Sequence, residues 1–357
     1  MRLVPSGRLP APAARVLEAH EWRACAAAHR ERMLGLVHGS IDIDPKHPIF
    51  NFLFQYYSFD HNLLLRWSPG MHARCTGVST AREPDLWTGR GWEWSSVSDG
   101  SGGMAPELCK PSLRKAARNA AEVMRRSQSR VPHLNCYGLH EWAMLYHPQT
   151  STLHPRRHQS LPLRLSQADL NTVVETQPIA CSHFDAFRFF MPEAAPLNTI
   201  ANVTRDSVLE NEQPGCVHAT MDLFRYSLKL WPWLPAELLA DALELAIAAR
   251  VLDMRASPYD LSEYHTHAPS AEPTGGQAGA VAGVAAGRGV EAGGGGGGGI
   301  GEEAGFDLSP VCVDTPEGRK QYQRMQADLA RRAVPIRARL LREYEEVIAA
   351  WDEDEAA

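Results

Sequence analysis

The feature that most constrains this chain is the pentapeptide Trp231-Pro232-Trp233-Leu234-Pro235, which stands between two helical patterns. A proline lacks the backbone N–H and disfavours helical geometry in the residue before it, so this segment stops any helix that reaches it. Pro214-Gly215 is a turn signal, and after Cys216 the pattern reads as helix to about residue 230. His218 and Asp222 are spaced to share one helix face, with Arg225 a turn further on and Met221, Phe224 and Leu228 as the apolar stripe beside them. Pro235 suits the first turn of a second helix over about 236–254, with Leu239, Leu243, Ala246, Ile247 and Leu252 on its core side. Glu237, Asp241, Glu244, Arg250 and Asp253 supply the other side. His218, Asp222, Glu244 and Asp253 are therefore expected to converge on a site. The plainer alternative makes Glu237, Asp241 and Glu244 a solvated stripe and Asp222 with Arg225 a structural ion pair. After the helix, Arg255, Tyr259 and Asp260 lie in an Ala-Ser-Pro turn, a setting in which loop residues contact ligands, unless Arg255 simply locks the helix end.

A second chemically dense stretch, HLNCYGLHEWAMLYHP, covers 133–148. Read as helix, it places His140, Met144 and His147 on one face and Glu141 and Leu145 on the next. Glu141 sits among apolar neighbours, where burial would raise its pKa and fit it for general acid–base work; an exposed glutamate is the alternative. Trp142 and Tyr146, with Trp231 from the proline-rich segment, are candidate walls for a planar ligand. In IACSHFDAFRFFMP, Asp185 and Arg188 are one turn apart in an almost wholly aromatic segment, as a buried ion pair or a ligand-facing one. The one concentrated positive segment is the helix expected over 111–130, with Arg114, Lys115, Arg118, Arg125, Arg126 and Arg130 against Glu122, preceded by Lys110. It is the place where phosphate contacts are plausible, and it also reads as a solvated face.

The remaining chain frames these stretches. Residues 1–13 and 351–357 are expected to fray. A helix is expected over 14–37, with Val16, Trp22, Cys25, Met33 and Leu36 as apolar contacts, and a buried one within 47–70, closed by Arg66-Trp67 against the core. Residues 71–106 read as an irregular surface loop or insertion with a flexible turn at Asp99. LPLRLS and 173–176 read as short extended segments, a loop with Arg156-Arg157-His158 precedes them, and 198–211 reads as linker. Residues 265–306 are low-complexity, with an unbroken glycine run over 293–299, and are expected to be disordered. The apparent glycine-motif matches there lack a flanking strand and helix and bind no phosphate. Thr315-Pro316-Glu317 then starts a helix whose core side is Tyr322, Met325, Leu329, Ala333, Ile336, Leu340 and Leu341. The expected fold is mostly α, one helical-bundle-like domain formed by 14–264 and 307–350.

Net charge −6 does not suit a globally basic nucleic-acid binder, and seven scattered cysteines without CxxC fit reduced thiols better than a disulfide framework. No apolar run is long enough to span a membrane. The expectation is an intracellular soluble protein of cytoplasm or nucleus, with an arginine-bearing, acid-free start that leaves organelle targeting open. HExxH, Glu-x-x-His, GxSxG and Walker motifs are absent. With HPIFNFLFQYYS, LRWSPG, GLHEWAM, SHFDAFRFF, EQPGCVHATMDLFRY and LDMRASPYDL taken together, the chain resembles a family of bacterial and algal proteins labelled 3-methyladenine DNA glycosylase. The resemblance covers roughly residues 22–341 apart from 71–106 and the glycine-rich insert. It implies removal of alkylated purines from DNA without a cofactor, and it assigns no catalytic residue; the helix-hairpin-helix turn of other alkylpurine glycosylases is missing.

On that expectation a flipped base stacks on Trp142, Tyr146 or Trp231, and Glu141, Asp222 or Asp253, beside His218, activates water or stabilises the cationic sugar. Arg255, Tyr259 and Asp260 add substrate contacts, and the basic helix holds DNA phosphates. An alternative from the residues alone is a helical oxidase or hydrolase in which His140, Glu141, His218, Asp222 and Glu244 hold non-haem iron or manganese. A further one is a non-enzymatic binding module whose polar residues form a satisfied internal network.

Overall fold

The computed structural model describes residues 15–39, 41–42, 44, 46–78, 94–96, 101–104, 111–153, 161–264 and 306–356. The expectations for 1–13, for the turn at Asp99, for Lys110, for Arg156, Arg157 and His158, and for 265–305 fall outside those residues.

The protein is mostly α. Its helices are α1 (Ala19–Leu36), α2 (Pro111–Gln128), α3 (Leu139–Ala143), α4 (Gln167–Thr176), α5 (Phe184–Phe187), α6 (Val208–Asn211), α7 (Val217–Leu230), α8 (Ala236–Ala256) and α9 (Pro316–Ala356). Helix α8 is the axis. It is buried on all sides but the stripe of Glu237, Asp241 and Glu244, and α1, α7 and α9 pack on it. Ala240, Ala242, Ala246 and Ala249, all fully buried, leave room for those neighbours to come close. Helix α9 also packs on α2 and α7.

The proline-rich segment between α7 and α8 is held by the LRWSPG stretch. The Ser68 hydroxyl donates to the Pro232 carbonyl at 2.6 Å, the Ala236 N–H to the Ser68 carbonyl at 2.9 Å, and the Met71 N–H to the Trp233 carbonyl at 3.1 Å. Gly70 has φ +71°, and a Cβ there would stand 2.9 Å from the Pro235 nitrogen, so only glycine fits. Trp67 is buried beneath this seam and closes the core.

Several elements depart from expectation. Strand β1 (Arg15–Leu17) precedes α1, leaving Val16 46% exposed instead of in the core. Within 71–106, expected to be irregular, lie β2 (Ala73–Thr76), β3 (Trp94–Ser96) and β4 (Ser101–Met104). They form a small sheet in the order β1-β2-β4-β3, with Arg15 beside Ala73 in the parallel pair and Cys75 opposite Gly102 in the antiparallel one. Short strands rich in Gly and Ser carry little pattern. The 47–70 stretch is not one helix: a wide turn at Phe52–Tyr56 ends at Ser58, whose φ is +46°, and a tight turn follows at His61–Leu65. Residues 173–176 are the end of α4, not a strand, because the Ser166 hydroxyl caps that helix by accepting from the Asp169 N–H at 3.2 Å. Leu170 and Val174 then face inward one turn apart. At the C-terminus α9 continues to Ala356, where fraying was expected; Trp351 is fully buried with its ring 6.1 Å from that of Trp233.

Candidate functional site

The site begins with a buried arginine. Arg250 and Asp253 sit one turn apart on α8, on the side facing α3 and α7. The Arg250 guanidinium donates to Asp253 Oδ2 at 2.6 Å, to Glu141 Oε1 at 3.1 Å and to the Pro48 carbonyl at 3.3 Å, and its plane lies over the Phe52 ring at 4.8 Å. The other Asp253 oxygen meets His140 Nε2 at 2.8 Å. Burial alone would raise the Asp253 carboxyl, but His140, and behind it His218 and Arg250, hold it well below its ordinary value. His140 and Glu141 come from α3, which opens at Gly138 with φ +69°.

His218, near the start of α7, bridges this group to a second one. Its ring stands edge-on to His140 at 4.6 Å and stacks on His183 at 5.2 Å. Burial, then the neighbouring His140, push the His218 pKa well below 6.5, so it is a neutral base inside the protein. His183, just before α5, is the opposite case. Burial opposes its charge, yet Glu212, 3.0 Å from Nδ1, raises its pKa above 6.5. His183 Nε2 also lies 4.0 Å from Asp222, whose carboxyl is raised by burial against the pull of Arg225. Asp222 accepts from the Tyr57 hydroxyl at 3.1 Å and from Arg225; Arg225 reaches Asp185 at 3.2 Å, and Asp185 in turn holds Arg188 at 3.1 Å.

Two cavities open on this network. An inner one of about 90 Å³ is walled by Phe52, Tyr56 and Phe189, with Glu141, His218 and Arg250 among its lining. An outer cleft of about 450 Å³ shares Tyr56 and Asp185 with it and carries Arg188, Arg205, Arg225 and Lys229. Rings, a carboxylate and an imidazole thus meet in one hollow, beside a positively charged mouth.

The structure brings together Glu141, His218, Asp222 and Asp253. It does not bring Glu244, whose carboxylate accepts from Arg32 at 2.9 Å next to Asp241 in a surface ion cluster. The expected aromatic walls need correction. Trp142 is fully buried with its indole N–H on the Ala256 carbonyl at 2.9 Å; the Tyr146 hydroxyl donates to Glu175 at 2.9 Å; Trp231 is buried beside Pro232. None of the three lines the cavity. Each is a large ring with a neighbour in the core, which sequence cannot distinguish from a ring facing a ligand. Arg255, Tyr259 and Asp260 line a separate cavity of about 280 Å³, where Arg255 donates to the Ser309 carbonyl at 2.7 Å and fastens the returning chain.

The basic helix carries partners of its own. Arg118 pairs with Asp352, Arg125 with Glu122 and Glu345, and Arg126 with Glu122 and Glu210, so carboxylates from α9, α6 and α2 itself meet the charge read along α2. Arg114 lies over the Trp351 ring at 5.9 Å, and Lys115 is exposed. Of the expected metal set, His140 and His218 form a buried trio with Asp253, their ligand atoms within 4.8 Å of one another. Glu141 faces Arg250 instead, and Asp222 and Glu244 stand outside the trio.

Sequence reasoning missed His183, Glu212, Arg250, Tyr57 and Phe52 as members of the site. The His183-x-Asp185-x-x-Arg188 spacing and the glutamate before Gln213-Pro-Gly were the available signals. Among the described residues, no helix is long and apolar enough to cross a membrane. Comparison with family profiles, with curated proteins and with solved structures gives no match to this chain.

Proposed function

We propose that the protein hydrolyses N-glycosyl bonds to alkylated purines, the activity that the family it resembles implies on DNA. One observation carries the reading: Glu141 and His218 open onto the same ring-walled cavity. An alkylated purine is cationic and planar; about 90 Å³ does not enclose it, so its ring rests at the cavity mouth, where Tyr56 and Phe189 favour it by stacking and cation–π attraction. Glu141, fixed by Arg250, offers negative charge to the oxocarbenium-like sugar as the bond to the base breaks. His218, kept neutral by burial, accepts the proton of the attacking water. Asp253 and His140 hold the cluster in place.

The test is release of free base, followed by chromatography, from oligonucleotides and mononucleotides containing 3-methyladenine. Wild-type protein is expected to release it, and Glu141→Gln to slow release roughly 10²–10³-fold. No release from any of these by correctly folded protein removes the reading.

The buried trio favours a second reading, a mononuclear iron or manganese site of the two-histidine, one-carboxylate kind. The donor types fit. Against it, both Asp253 oxygens are already engaged, one by His140 and the other by the Arg250 cation, which places a fixed positive charge beside the would-be metal. Stoichiometric iron or manganese in protein purified without chelators, lost in His218→Gln, would replace the first reading with this one.

A further inference from the structure

The outer cleft gathers four cations from separate parts of the chain: Arg188 after α5, Arg205 from the loop before α6, and Arg225 and Lys229 one turn apart on α7. Only Asp185 in its lining opposes them, and it is already shared between Arg188 and Arg225. Arg205 and Lys229 meet no carboxylate among the described residues; their nearest recorded neighbours are rings, Phe184 at 5.6 Å and Tyr226 at 5.9 Å. The Arg225 guanidinium is held by Asp185 and by Asp222 behind it. Arg205 and Lys229 are the cleft's surplus positive charge, and two like charges in one concavity call for an anion.

We infer that this cleft is a phosphate subsite, which takes the phosphate of the same molecule whose planar ring rests at the mouth of the inner cavity. The inference rests on the ring-binding part of the proposed function but not on bond cleavage. Tyr56 and Asp185 line both spaces, so ring and phosphate lie on either side of them. Guanidinium groups suit phosphate because their paired N–H donors match its oxygens. A free nucleotide or a nucleic-acid strand supplies the same chemistry. Phosphate recognition then lies beside the reactive hollow, apart from helix α2, where Arg118, Arg125 and Arg126 are paired with carboxylates.

The experiment is titration calorimetry on the full chain with 3-methyladenine nucleoside, its 5′-monophosphate, inorganic phosphate and a short single strand carrying the same base. The monophosphate is expected to bind at least about tenfold more tightly than the nucleoside. That advantage should shrink with added salt and vanish in Arg205→Gln/Lys229→Gln, two exposed positions whose substitution leaves the core untouched. Tighter binding of the monophosphate than of the strand identifies a free nucleotide as the source, and the reverse identifies a polynucleotide. Equal affinity for nucleoside and monophosphate, an advantage that survives in the double variant, or no binding of any probe overturns the subsite. A phosphate advantage without base release keeps the subsite and removes only the hydrolytic reading.

Discussion

Two histidines in ring contact titrate in opposite directions, and this gives the folded protein a stability optimum. His218 has a lowered pKa, so below 6.5 the unfolded chain binds a proton that the folded one refuses, and stability falls as pH falls. His183 has a raised pKa, so its contribution is complete below 6.5 and is lost as pH rises through the folded value. Urea midpoints measured from pH 5 to pH 8 should therefore decline less steeply on the acid side in His218→Gln, where the lowered His29 and His47 keep part of the limb, and less steeply on the alkaline side in His183→Gln. An acid limb unchanged in His218→Gln would show that the imidazole is protonated inside the protein after all. At this scale the sequence was half legible. His218 and Asp222 announced themselves by helical spacing, and Glu141 by its apolar neighbours. Arg250 did not: a buried arginine and an exposed one look alike until the carboxylates that hold it, Asp253 nearby and Glu141 more than a hundred residues away, are seen beside it.

Helices with a long period were read closely, and short ones were not. The expected limits of α7 and α8 match the structure to within about two residues. His183 and Glu212, by contrast, flank helices of four residues, too short to show any repeat. What fixes the start of α7 is a turn. Gln213 Oε1 accepts from the N–H groups of His133 and Gly215 at 2.9 and 2.7 Å, and Gln326 of α9 donates to the Gly215 carbonyl at 2.7 Å. A Cβ on Gly215 would stand 2.7 Å from the His133 carbonyl oxygen and 3.0 Å from Gln213 Oε1. Gly215→Ala should therefore cost about 1–3 kcal/mol in chemical denaturation by prising the turn from both neighbours. A change below about 0.5 kcal/mol would mean that the turn yields without strain. The pairing of α2 was hidden from the sequence for a related reason: two of its countercharges, Glu345 and Asp352, lie on α9, more than two hundred residues along the chain.

Across the whole molecule, the chain leaves the described core at Tyr264 and re-enters it at Phe306, and both rings rest against the His47 imidazole, at 5.7 and 6.2 Å. Leu308, Val311 and Val313 then join the same buried cluster as α8. Loop closure entropy grows only with the logarithm of length, about 0.6 kcal/mol per doubling. Exchanging residues 265–305 for a ten-residue Gly-Ser tether should accordingly leave the melting temperature within a few degrees of the parent. A collapse in stability would show that the replaced segment contributes contacts of its own. The shared imidazole thus turns the two crossing points into one doorway, where a fluorescent reporter or affinity handle could be spliced in mid-chain without disturbing either terminus.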